Sequence, residues 1–210
     1  MADCRFLEYG GNTSCISLEW ERGILVFDGG SGLVQLSREL SERKDHKRID
    51  ILLSHLHTDH ILGLLGFRQF HDPEAEIHLY GGEGFGGRLE TVMGSPYWPV
   101  GLQDFKADVS LHEICAGQRF SIADPMKICT LRGNHPGGSI LYRLDVPGRR
   151  LVYSLDCELD REMFGRLADF SRGAELIICD GNFTGEDLKQ YPGWGHSSWE
   201  QGIALRKAAK

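Results

Sequence analysis

The chain has 210 residues, and none of its apolar runs approaches the roughly 20 residues that a membrane-spanning helix needs. Its first residues, Met1-Ala2-Asp3-Cys4-Arg5, carry no apolar stretch of secretory type. A Cys-x-x-Cys pair is also missing. The six cysteines (Cys4, Cys15, Cys115, Cys129, Cys157 and Cys179) are scattered, most of them in strand-like apolar runs, so reduced and buried thiols are expected rather than a disulfide framework. Cys157 follows an aspartate that matters below, but adjacent strand residues face opposite sides, which argues against its being a metal ligand. Positive charge is short too. The chain has 23 Lys and Arg against 30 Asp and Glu, a net charge of −7, which argues against a broad nonspecific nucleic-acid surface but not against a small phosphate substrate. These absences lead us to expect a soluble, cytoplasmic protein without a membrane partner. With 41% hydrophobic residues the chain can bury a core of its own, and a single domain over 1–210 is expected.

What is present concentrates in one stretch. Ser54-His55-Leu56-His57-Thr58-Asp59-His60 places three imidazoles and a carboxylate directly after the apolar run Ile51-Leu52-Leu53, which reads as a buried strand. In extended backbone alternate side chains share a face, so His55 and His57 point the same way. The turn into an apolar helix, expected over Ile61 to Phe70, brings Asp59 and His60 back towards the same point. Neutral imidazole suits zinc, iron and manganese, and a carboxylate adds negative charge and tolerates harder ions. A solvated polar turn rarely carries this many donors at this spacing.

His-x-His-x-Asp-His between an apolar strand and an apolar helix resembles the signature of the metallo-β-lactamase fold superfamily. The likeness runs from Cys4 to the end of the chain. It includes Asp28 closing the strand of Gly23-Ile24-Leu25-Val26-Phe27-Asp28-Gly29-Gly30, then Asn134-His135-Pro136-Gly137-Gly138, Tyr153-Ser154-Leu155-Asp156 and Gly193-Trp194-Gly195-His196-Ser197. This set is similar to the phosphodiesterase branch, which includes RNase Z and cyclic-nucleotide phosphodiesterases. The resemblance implies an α/β fold, the αββα sandwich. It also implies His135 as the third histidine of a first metal site, Asp156 as a ligand shared by two ions, and His196 as a proton donor. For Asp28 it implies an acceptor bracing the metal loop, whereas the residues alone allow a helix cap followed by Gly29-Gly30; the two are compatible. The branch continues past the last helix into a strand with a final histidine ligand, and the sequence ends at Lys210, so the expected ligand set is one short and the sandwich incomplete at that end.

Along the rest of the chain, strands are expected at Arg5 to Glu8, Ser14 to Trp20, Ile24 to Phe27, Ile77 to Tyr80, Glu113 to Cys115, Met126 to Leu131, Ser139 to Leu144, Arg150 to Leu155 and Glu175 to Cys179. Helices are expected at Leu33 to Glu42, Arg161 to Phe170 and Glu200 to Lys210, the last capped by Ser197. The run Arg43 to Arg48, with His46, reads as a solvated helix end rather than a nucleic-acid patch. Gly81 to Gly87 matches no phosphate-loop pattern and reads as a flexible loop. Residues 88 to 108 are the least regular part and read either as a packed roof over the core or as a border of the substrate cleft. His71, His78 and His112 lack partners at ligand spacing and read as packing or surface histidines.

The expected function is that of a metal-dependent hydrolase, a phosphodiesterase acting on a small phosphodiester such as a cyclic nucleotide. The expected ligands are His55, His57 and His135 for one ion, Asp59 and His60 for a second, and Asp156 for both. The catalytic set is Asp59, His196 and Asp180, with Asp180 orienting His196 as it protonates the leaving oxygen and a hydroxide between the ions as nucleophile. One or two zinc ions are expected, with manganese or iron compatible. No long basic insertion suited to gripping a large RNA is present, and a homodimer stays open. Thioester, lactone or lactam hydrolysis on the same fold, or a metal-impaired relative that only binds, are the alternatives.

Overall fold

The computed structural model describes residues 10–43 and 48–210. The strand expected at Arg5 to Glu8 and most of the charged run, with His46, lie outside the described residues. The chain divides into two compact units, Met1–Ile114 and Cys115–Lys210, each built on a five-stranded sheet.

In the first unit the sheet order is β1 (Ile16–Trp20), β2 (Gly23–Phe27), β3 (Arg48–Leu52), β4 (Glu76–Gly81) and β5 (Asp108–Glu113). β1 and β2 form a hairpin with Trp20 opposite Gly23, so Glu21 and Arg22 are its two-residue loop. The remaining neighbours are parallel. β2 is buried at every position, as expected of a strand inside a parallel sheet. Ile24, Val26, Ile49, Ile51, Ile77 and Leu79 pack on one face with Leu33 and Leu40 of α1 (Gly32–Arg43) and with Leu64, Phe67 and Phe70. Each such side chain contributes about 1.5–3 kcal/mol when fully buried, so this layer holds the strand ends in place.

The second sheet runs β10 (Leu176–Cys179), β9 (Arg149–Ser154), β8 (Ser139–Val146), β7 (Met126–Gly133) and β6 (Arg119–Ala123), antiparallel except for β9 and β10. Helix α4 (Arg161–Phe170) and α5 (Trp199–Ala208) cover it through Met163, Leu167 and Leu205, packed with Leu141 and Val152. β7 and β9 are each antiparallel to β8, so they run the same way, and β10 runs with β9. The carboxyl ends of three strands therefore open at one edge of this sheet.

Several local expectations are corrected. The helix expected over Ile61 to Phe70 is instead a single turn, α2 (Thr58–Ile61), followed by two 3₁₀ turns, Leu62–Gly66 and Arg68–His71. Its backbone docks directly on another stretch of backbone. Gly29 donates to His60 O at 2.7 Å and Gly63 to Gly29 O at 2.8 Å, and a Cβ at Gly63 would lie 2.1 Å from Gly30 O. The Gly63 N–H thus goes to Gly29 O rather than to a carbonyl four residues back, which interrupts the α-helical ladder there. The glycine-rich segment is not all loop, because α3 (Phe85–Val92) begins inside it. Residues 88 to 108 also hold a 3₁₀ turn, and Phe105 stacks on Phe70 at 4.2 Å, which favours the packed-roof reading. The strand placed at Glu113 to Cys115 lies earlier, as β5, and β6 was not anticipated. Finally, α5 is capped by Ser198 with Gln201 in a reciprocal box, not by Ser197, which is buried and donates to Cys157 O.

Candidate metal and catalytic centre

In the first unit the site is built where β2 and β3 end side by side. Phe27 pairs with Leu52, and Asp28 N donates to Leu52 O at 3.0 Å, so Asp28 stands beside the turn that follows β3. Crevices outside the carboxyl ends of parallel strands are where α/β sheets place their ligands. Asp28 is fully buried and accepts from Ser54 N at 2.7 Å and Ser54 Oγ at 2.7 Å, and its Oδ2 lies 2.7 Å from His60 Nδ1. The bracing role implied for it is therefore present. The imidazoles of His55 and His57 lie 4.4 Å apart by ring centroid, and those of His55 and His60 lie 4.3 Å apart. The turn thus gathers its donors as the spacing suggests.

In the second unit the three open strand ends carry the other candidates. His135 follows β7, Asp156 follows β9 and Asp180 follows β10, with Asp180 N donating to Ser154 O at 3.3 Å. His196 arrives on the loop before α5, and its Nδ1 lies 2.8 Å from Asp180 Oδ2. Asp156, Asp180 and His196 each offer a ligand-type atom within 4.8 Å of the others. His135 Nδ1 lies 2.9 Å from the carbonyl of Gly195. A Cβ at Gly195 would come within 2.3 Å of that same nitrogen, and its φ of 80° lies in the left-handed region, so only glycine fits there.

One geometric pattern recurs in both units. His60, His135 and His196 each present Nδ1 to an oxygen, and a histidine held in that way offers Nε2 to a metal or a substrate. His60 Nε2 lies 3.4 Å from Asp59 Oδ2, and His135 Nε2 lies 3.6 Å from Asp156 Oδ2. Two donors at the usual zinc distances on one tetrahedral ion sit about 3.4 Å apart, so the donor chemistry and its spacing fit a metal. Asp28 and Asp156 are also the two non-glycine residues with positive φ among the described residues, at 59° and 50°. Strain of this kind persists where the surroundings fix a side chain, and here both carboxylates close strands.

The other sequence candidates fall elsewhere. His78 Nδ1 lies 2.9 Å from His112 Nε2, and His78 Nε2 lies 2.7 Å from Glu76, while Tyr80 stacks on His112 at 4.5 Å. Burial, with His78 beside it, lowers the pKa of His112, as suits a packing histidine. Cys157 belongs to none of the candidate metal groups among the described residues, and burial pushes its thiol up to about 11. Ser54, the Gly195 carbonyl and Glu158 were not anticipated. Glu158 accepts from the backbone N–H groups of Gly193 and Gly195, at 3.1 and 3.0 Å. The only sequence sign of it is an acid two residues after Asp156.

Residues 24–210 match the family described as "Beta-lactamase superfamily domain". The chain belongs to this superfamily. An uncharacterized protein of Mycobacterium tuberculosis is 29% identical over 190 residues, 88% of this chain and 66% of its own length. The chain thus spans just under two thirds of the curated relatives it matches at that level. The ribonuclease Z of Bacillus subtilis is 24% identical over 242 aligned positions, covering 92% of this chain and 76% of that protein. Among solved structures, the metallo-beta-lactamase fold protein YhfI from Bacillus subtilis aligns with a TM-score of 0.73 at 20% identity, over 94% of this chain and 74% of its own. The short form of human tRNase Z aligns with a TM-score of 0.70 at 19% identity, over 94% and 82%. The fold of this superfamily member is therefore the metallo-β-lactamase fold.

Proposed function

We propose that this superfamily member is a metal-dependent phosphodiesterase acting on a small phosphodiester, with a cyclic nucleotide as the leading class. His55, His57 and His135 would hold one ion, Asp59 and His60 a second, and Asp156 both. Zinc suits the imidazole-rich set, and manganese or iron the carboxylate-rich one. Bound there, the ions would acidify water and offset the negative charge that grows on the phosphoryl oxygens.

The chain's own residues carry the remaining steps. Asp28, through Ser54 and His60, keeps the turn from relaxing when it faces charged substrate. Asp180 holds Nδ1–H of His196, which leaves Nε2 to deliver a proton to the leaving oxygen. Proton delivery matters when the leaving group is a sugar or alkyl oxygen, as in a nucleotide diester. The observation that carries the reading is this pair: an aspartate-held histidine, sharing a 4.8 Å group with Asp156. The net charge of −7 and the lack of a basic insertion support a small substrate over a long RNA. Ribonuclease Z among the relatives supports the phosphodiester class.

The test is a panel of a bis-aryl phosphodiester, a 3′,5′-cyclic nucleotide, an acyl thioester and a β-lactam, run with zinc and with manganese. Turnover of the two phosphodiesters, abolished by a chelator and restored by metal, is the expected result. Turnover of the thioester or the lactam alone would move the reaction to carbonyl hydrolysis on the same fold, and bound metal without any turnover would make the protein a binding relative.

A further inference from the structure

We propose that Glu158 is a positioning residue that makes His135 and His196 move as one body, so that metal binding at His135 and proton delivery by His196 are coupled through a single carboxylate. The inference rests on the hydrolase reading for the role of His196, while its claim about His135 concerns metal binding alone.

The connections form a closed loop within the second unit. The backbone N–H of Glu158 donates to Asn134 O at 2.8 Å, beside His135 in the chain. The side chain of Glu158 reaches the other way, and its two oxygens accept from Gly193 N and Gly195 N at 3.1 and 3.0 Å. Gly195 O then faces His135 Nδ1 at 2.9 Å, which closes the loop. His196 is the next residue, and its ring sits edge-on to that of His135, with centroids 5.3 Å apart.

The arrangement needs a carboxylate. Gly193 and Gly195 both have φ near 80°, a conformation that turns their N–H groups towards one acceptor and lets the chain pass close to His135. Two N–H donors converge, and a carboxylate has one oxygen for each, whereas an amide would turn one donor against another. On either side of Glu158 the same segment is fixed by other bonds. Ser197 Oγ donates to Cys157 O at 2.5 Å and accepts from Leu159 N at 3.2 Å, and Gln201 Nε2 donates to Leu159 O at 2.9 Å. Removing the Glu158 carboxylate therefore frees the turn at 193–195 while its anchors at 157, 159 and 197 remain. This gives the side chain a local effect that is separable from folding. Outer partners of metal-held histidines typically contribute about 10–100-fold in metal affinity or activity.

The experiment uses Glu158→Ala and Glu158→Gln in the full chain. Zinc affinity is measured by competition with a chromophoric chelator, and amide hydrogen exchange is read at Gly193 and Gly195. Turnover is compared on a cyclic nucleotide and on a bis-aryl diester with a good leaving group. Glu158→Ala is expected to lower zinc affinity by about 10–100-fold, to speed exchange at both glycines, and to slow the cyclic nucleotide more than the aryl diester. Glu158→Gln keeps one acceptor oxygen and should fall between Ala and the unmodified protein. Unchanged zinc affinity and unchanged glycine exchange in a folded Glu158→Ala protein would overturn the proposal. So would an equal loss on both diesters with no change in metal affinity. If the unmodified protein binds zinc yet turns over no phosphodiester, the functional reading fails, and the affinity and exchange measurements still decide whether Glu158 couples the loop to His135.

Discussion

The candidate site residues of the first unit lie between positions 55 and 60, on one turn after one strand, whereas those of the second, His135, Asp156, Asp180 and His196, are spread over three connections. The first set is braced by a side chain from a neighbouring strand, Asp28, which reaches Ser54 and His60. In the second, much of the bracing comes from backbone: a carbonyl at Gly195 and N–H groups at Gly193 and Gly195 gathered by Glu158. A set that is local in sequence can be held by one buried carboxylate. One that is assembled from distant loops needs the loops themselves to be tied together, and glycines are what allow that approach.

The compact set is the more vulnerable of the two to the loss of a single side chain. His57→Ala is expected to abolish phosphodiester hydrolysis and to strip most of the bound metal, measured by turnover beside elemental analysis. Full metal content with full activity would show that the turn is not the metal centre.

His196→Ala probes the dispersed set. Turnover of a cyclic nucleotide should fall by about a hundredfold to ten-thousandfold, the usual contribution of general acid catalysis, while a good aryl leaving group is largely spared. Equal losses on both substrates would assign His196 to binding or structure.

The two braces can then be compared by stability. Asp28→Ala leaves Ser54 and His60 without their buried acceptor and should cost about 3 kcal/mol in urea unfolding of the metal-free protein. Gly195→Ala meets both a left-handed φ and the His135 ring, and should cost about 2 kcal/mol. A smaller loss at Asp28 than at Gly195 would reverse the ranking of the two braces.

The smallest effect concerns the thiols. Burial and the nearby Asp28 push Cys15 up to about 12, and burial pushes Cys157 up to about 11. A raised thiol pKa means that the reactive thiolate is scarce at pH 8 and grows only as pH approaches those values, so both cysteines should resist alkylation at pH 8. Among the cysteines of the described residues, the exposed Cys115 is expected to react first, which peptide mapping after a timed iodoacetamide pulse would check.

Features that depend on neighbours along the chain are legible in the order of the amino acids. Period-two and apolar runs placed most strands, because a strand's side-chain alternation is written in consecutive residues. The turn from 54 to 60 was legible for the same reason, since its donors, its strand and its direction all lie within a few residues. Features that depend on distant segments meeting emerge only in the folded chain. The helix expected at 61–70 is broken because Gly63 sits against the backbone of Gly29 and Gly30, a contact no local pattern encodes. Ser197 yields the cap of α5 to Ser198 because its hydroxyl is taken by Cys157 O and Leu159 N, residues about forty positions away. Glu158 and the Gly195 carbonyl stayed invisible for the same physical reason: their roles are set by hydrogen bonds across 35 residues or more, which only the folded sheet brings within reach.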